Sequence, residues 1–184
     1  MTGFRIRWAH TGDALGVATV HVASWKAAYT GLLDQDLLDG LQVEQRRQGW
    51  SRWIASSLSG QSTDGGGAEP HRLLVAESDD RVVGWASFGA GREPGMAHLG
   101  ELAGLYVHPE QWSQHVGHAL VVTVEEELRA AGWGEAYLWV LRGNDRAIRF
   151  YEEHSWNADG QEKFGDAGGA TVLHELRHFR RLSE

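Results

Sequence analysis

Cysteine is absent from the 184-residue chain, which excludes disulfides, thiolate metal ligands and a thiol nucleophile. Also missing is any apolar run long enough to span a membrane. The N-terminal segment, Met1 to Arg7, lacks the apolar stretch of a secretory leader, so the expectation is a soluble cytoplasmic protein with no membrane partner. Positive charge is in deficit: 17 Lys and Arg stand against 25 Asp and Glu, a formal net charge of −8. That balance argues against nucleic acid as a partner. It either serves solubility alone or favours a cationic ligand. Ten histidines are present, scattered without the spacing of metal ligands, and no metal is expected. What is there is globular material. Hydrophobic residues make up 42%, and the length suits one domain over residues 1–184 with a core of its own.

Helix and strand periodicities alternate along the chain. Phe4 to Trp8 alternates apolar and basic side chains, as a strand does. Thr11 is placed to cap a helix, with Asp13 in its first turn. Leu15, Ala18, Val22, Trp25 and Tyr29 then recur at spacings of three and four, one apolar helical face that ends at Gly31. A second helical region begins at Asp34 and runs through Leu37, Leu38, Leu41 and Trp50 to Ile54. Ser59 to Pro70, containing Gly65-Gly66-Gly67, reads as a surface loop. Two strands follow, Arg72–Glu77 and Val82–Gly89, joined by a turn at Ser78–Arg81. A loop from Ala90 to His98 leads to a third strand at Gly100. Gly117, Leu120, Val121, Val124 and Leu128 mark a helix with Glu125, Glu126 and Arg129 on its wet side. Ala136–Leu141 is a strand, and Asn144 caps a short helix carrying Ala147, Ile148 and Tyr151. Glu162–Phe164 and Thr171–Phe179 close the chain as strands.

The stretch from Gly100 to Leu141 says most about function. An apolar strand stops at Pro109 and turns into a helix, gathering unpaired backbone N–H groups and the positive end of a helix dipole at a point that suits phosphate. Here the sequence resembles the GCN5-related N-acetyltransferases (GNAT). Leu105-Tyr106-Val107-His108-Pro109-Glu110 is similar to the end of the family's fourth strand. Trp25-Lys26-Ala27-Ala28-Tyr29-Thr30-Gly31-Leu32 is similar to its first-helix ending. The run from Asn144 to Tyr151 resembles its Asn-x-x-Ala-x-x-Phe-Tyr block, with Ser155-Trp156 where Gly-Phe is usual. The resemblance runs over nearly the whole chain. It implies a single-domain α/β fold with a mixed, mostly antiparallel central sheet flanked by helices and splayed between the fourth and fifth strands. It also implies acetyl-CoA as cosubstrate, a primary amine as acceptor and, as is common in the family, a homodimer.

In that family a Gln/Arg-x-x-Gly-x-Gly/Ala loop cradles the cofactor's pyrophosphate. Aligned on Gly117, this chain has Trp112 at the Gln/Arg position, Ser113 and Gln114 at the free ones, His115 at the first glycine and Val116 before the second. No Lys or Arg stands between His108 and His118. Three readings stay open: a weaker acyl-CoA site, a rebuilt loop with His115 and His118 as donors, or a fold that has lost the cofactor. Histidine enters the left-handed backbone region more readily than most residues. The resemblance further implies that the backbone near Leu105, Tyr106 and Val107 binds pantetheine as an added strand would, with Asn144 and Phe150 also against the cofactor. Without cysteine, transfer is direct or passes through a hydroxyl.

Amide formation needs a base for the ammonium, a donor for the oxyanion and a proton for the thiolate. The resemblance gives the last role to Tyr151, and Glu101 is the candidate base. Each has a purely structural alternative, as a core aromatic and a solvated strand-start carboxylate. The acceptor is expected near Trp25 and Tyr29, with Trp50 and Trp53 as further lining or simply core. A rival motif, His174-Glu175-Leu176-Arg177-His178, matches the zinc-protease pattern. That pattern needs a helix, whereas this run alternates as a strand, and chance is the better account. Two classes of function remain: an acetyl-CoA-dependent N-acetyltransferase, and a cofactor-free member of the fold acting as a binding or regulatory module.

Overall fold

Apolar runs of Leu, Val, Ala and aromatic residues build a central sheet, and the helices lie on its two faces. The structure is a computed structural model that describes residues 3–60, 69–166 and 172–182. The glycine run Gly65–Gly67 and Thr171 lie outside the described residues. In order come β1 (Arg5–Trp8), a 3₁₀ turn (Thr11–Asp13), α1 (Ala14–Tyr29), α2 (Gln35–Asp39), α3 (Val43–Ser59), β2 (Arg72–Ser78) and β3 (Arg81–Ala90). Then follow β4 (Gly100–Val107), α4 (Val116–Ala130), β5 (Glu135–Leu141), α5 (Asp145–Glu153), β6 (Asn157–Asp166) and β7 (Val172–Arg181).

The sheet has seven strands in the order β1-β2-β3-β4-β5-β7-β6. Every neighbouring pair is antiparallel except β4 and β5. That one parallel pair is brief: its register runs Gly100↔Ala136, Glu101↔Tyr137 and Leu102↔Leu138 and then stops. The cause lies on the other side of β4. Pairing with β3 jumps from Leu102↔Phe88 to Gly104↔Ser87, which leaves Ala103 as a bulge. A bulge bends its strand and increases local twist. Beyond it β4 follows β3, while β5 stays with β7 through Leu141↔Glu175. The sheet therefore opens between β4 and β5, as expected.

One core lies under α4, where Leu120, Val121, Val124 and Leu128 meet Leu74, Phe88, Leu102 and Leu138. Trp156, fully buried, joins that core and donates its indole N–H to Glu125 Oε1 at 2.9 Å. A second core lies on the opposite face, with Val17, Val20 and Ile54 from α1 and α3 against Val75 and Trp85.

Local departures from the expected elements have simple causes. Thr11 does not cap α1; it begins the 3₁₀ turn, and Asp13 Oδ2 accepts the His10 N–H at 2.8 Å. The helical region expected from Asp34 to Ile54 breaks in two. Gly40 closes α2 by donating to Asp36 O at 3.0 Å, and Gln42 is extended before α3 begins. β6 starts at Asn157, earlier than Glu162, because Ser155 takes a left-handed φ of 63° and turns the chain straight into pairing with β7. The expected turn between β2 and β3 is present, with Asp79 and Asp80 both at positive φ.

Candidate active site

Where β4 and β5 part, a cleft of about 910 Å³ passes through the sheet. Sequence position decides which side each residue serves. Beyond the Ala103 bulge, Leu105 and Val107 belong to the core under α4, whereas Tyr106 packs with Trp85 on the α1 face. Past Leu102 the β4 edge facing β5 has no ladder partner. This row of backbone groups is available to an extended ligand arm.

The loop after β4 carries strain where a glycine was expected. His115 sits at φ 63° immediately before α4, and Ser113 at φ 62°. Gly117 is crowded: a Cβ there would meet the Phe150 ring at 3.3 Å. Trp112 donates its indole N–H to Val107 O at 2.8 Å. Its ring is covered by the Arg146 guanidinium, 3.5 Å from the ring centre. α5 thus places a guanidinium against the loop, two residues after its cap. Asn144 Oδ1 accepts the Ala147 N–H at 3.3 Å, so it caps α5 and also borders the cleft. His118, in the first turn of α4, meets His154 through Nδ1 and Nε2 at 2.9 Å. His154 Nδ1 must donate to the Phe150 carbonyl, 2.7 Å away. Its Nε2 then accepts from His118 when His154 is neutral.

Most of the expected site residues border this one cleft: Trp25, Tyr29, Glu101, Leu105, Tyr106, Val107, Trp112, Ser113, His115, Gly117, His118, Asn144, Phe150 and Tyr151. Two do not. Gln114 is exposed and turns back to Glu110 O at 3.1 Å, and Val116 is buried in the core as α4's first residue. Trp50 and Trp53 pack with Trp85 and His21 away from the opening.

Three tyrosines gather at the mouth between the faces. The Tyr29 and Tyr106 hydroxyls lie 3.0 Å apart. Burial, then the neighbouring Tyr106, pushes the Tyr151 phenol well above its usual value. It is therefore protonated at any physiological pH and suited to donate. Glu101 is nearly buried, and Arg92 gives it three hydrogen bonds, from its backbone N–H at 2.9 Å, Nε at 3.1 Å and a terminal nitrogen at 2.7 Å. Burial alone would push this carboxyl up, yet the bonds and charge of Arg92 hold it below the usual carboxylate range. Tyr137, pushed up to about 12 by burial and by Glu101, adds a bond at 3.3 Å.

Glu175 has the opposite character. It stands on β7, borders the cleft, and its carboxyl is raised by burial and by the nearby charges of Glu93 and Glu101, against the pull of Lys163. The sequence contained the signal. The alternation that makes 171–179 a strand puts Leu173 and Glu175 on one face, and both border the cleft. His174 and His178 do not converge on a metal: they are four strand residues apart, about 13 Å, and His174 Nε2 bonds Glu162 at 2.7 Å. Among the described residues no three His, Asp or Glu side chains cluster to hold a metal ion, and no helix is long and apolar enough to cross a membrane.

The splayed fold has counterparts among solved structures, and the sequence has relatives. The sequence model of the acetyltransferase (GNAT) family matches residues 36–156, and the chain belongs to that family. The Bacillus subtilis protein YuaI, an uncharacterized N-acetyltransferase, is 29% identical over 164 residues, 89% of this chain and 86% of that protein. The fold matches that of the PaiA N-acetyltransferase of Thermoplasma acidophilum in complex with coenzyme A. The TM-score is 0.72 at 21% identity, over 97% of this chain and 99% of that one. YncA of Salmonella typhimurium, solved with acetyl-CoA, matches at TM-score 0.69 and 21% identity, over 100% of this chain and 96% of that one.

Proposed function

We propose that this protein moves an acetyl group from acetyl-CoA to a primary amine by direct attack. One observation carries the reading: a cleft through the sheet joins an unpaired β4 edge to a helix N-terminus, with a phenol that stays protonated where the two faces meet. The cofactor side fits its ligand. Arg146, Arg149 and His118 border the cleft near the α4 and α5 N-terminal turns, and guanidinium and helix N-termini suit phosphate. The thioester supplies the activated acyl group. The protein's own groups handle the protons. Tyr151 gives its proton to the departing thiolate, and the free N–H groups of β4 stabilise the oxyanion. Glu101, already saturated by Arg92, is a poor proton acceptor. Glu175, whose carboxyl is raised, is the group suited to take the proton from the ammonium.

Thermal denaturation with and without acetyl-CoA tests this. A ligand at 100 times its dissociation constant stabilises the native state by about 2.7 kcal/mol, which raises the melting temperature by roughly 5–10 degrees in a domain of this size. An unchanged melting temperature at millimolar acetyl-CoA would instead support a fold without cofactor.

A further inference from the structure

The chain keeps an ammonium group of its own in the cleft. Lysine is rare here: Lys26 and Lys163 are the only two in the sequence. Lys163 stands on β6 directly opposite Glu175 and borders the cleft. Its Nζ is 3.0 Å from Glu93 Oε1, 3.8 Å from Glu175 Oε2 and 4.5 Å from the centre of the Trp139 ring. Two carboxylates and an indole face, brought by the β3–β4 loop, β7 and β5, form an enclosure for an alkyl ammonium.

The occupant is not locked in. Side-chain exposure is 34% for Lys163 and 37% for Glu93, and pairs this accessible are weak. Arg92, the other cation on this side, is committed to Glu101. With Lys163 withdrawn, Glu93 and Glu175 would be left as two uncompensated carboxylates beside Glu101. A second ammonium would replace what was lost. Across the cleft, Arg146 and Arg149 stand on the α5 side with Glu153, while Glu101 and Glu175 on the other side are balanced by Arg92 and Lys163.

We propose that Lys163 fills the subsite of the acceptor. The acceptor is a linear alkyl ammonium that displaces Lys163 and sits between Glu93 and Glu175 over Trp139. This rests on the acetyltransferase reading, since it assigns the amine side of the same cleft. Displacing an internal competitor lowers apparent affinity by the fraction of molecules in which the subsite is open. Removing that competitor therefore tightens amine binding.

The probe is n-butylammonium, its binding followed by ligand-observed NMR in the wild type, Lys163→Met and Lys163→Met/Glu175→Gln. Calorimetric titration of acetyl-CoA is run on the same three proteins. Lys163→Met should bind n-butylammonium about two- to fivefold more tightly, the double variant should lose that gain, and acetyl-CoA affinity should be equal in all three. Lys163→Gln carries the same expectation if the Met variant is unstable. Equal or weaker amine binding in both Lys163 variants overturns the proposal. Absent acetyl-CoA binding in the wild type strikes the cofactor reading instead, and leaves the ammonium result to be judged on its own.

Discussion

Tyr151, the proposed proton donor, shows how its place can suit a common side chain to a role. On a short amphipathic helix it could be core alone, and it is nearly buried. Yet it borders the cleft, and burial holds its proton firmly. Tyr151→Phe keeps the ring and removes the donor. Turnover should fall about ten- to a thousandfold with acetyl-CoA affinity little changed, as steady-state kinetics beside calorimetry will read. His115 presents a different case, a side chain at a backbone angle that glycine adopts without strain. His115→Gly should raise stability by up to about 1 kcal/mol, measured by urea denaturation. It should leave cofactor affinity intact if, as proposed, Arg146 rather than the loop supplies the cation. His21 answers to pH. Burial, aided by Arg46, lowers its pKa to about 4, and its Nδ1 accepts from Trp50 at 3.1 Å. The unfolded chain takes up a proton near pH 6.5 that the folded one refuses. Stability is therefore full above that pH and declines as pH falls towards 4, by as much as about 3 kcal/mol. A His21→Gln variant should show a flatter dependence of melting temperature on pH over that window.

Elements were legible wherever a periodicity ran unbroken. The alternation in β1 and β7, the turn joining β2 to β3 and the apolar stripe of α4 gave each its type, and Asn144 marked the start of α5. What escaped was decided by contacts distant in sequence. α2 and α3 separate because Gly40 turns the chain while Leu38 and Leu41 are both buried in a third cluster with Leu141. β6 is longer than its composition suggests because it borrows its pairing from β7. In the site, family-like blocks pointed to the cleft but not to its electrostatics. Nothing in the spacing of Arg92 and Glu101 announces that one saturates the other, or that Arg146 lands on Trp112. Packing between elements is equally invisible locally. Gly16 of α1 lies so close to β3 that a Cβ would come within 2.8 Å of Val82. Gly16→Ala, favourable for an isolated helix, should here cost about 1–3 kcal/mol, seen as a lower urea midpoint at an unchanged slope.

At the scale of the whole molecule, the Ala103 bulge governs when the backbone is protected. The amides of Ala103 to Val107 that point away from β3 face a gap rather than a strand. Without ligand they should exchange with deuterium far faster than their neighbours at Gly100 to Leu102, although both groups belong to one strand. Acetyl-CoA lying in the gap as a substitute strand would slow them together, while amides of β1 and β2 kept their rates. The sheet then becomes continuous only when the substrate completes it, and the timing of exchange along β4 reports how often the cleft stands empty.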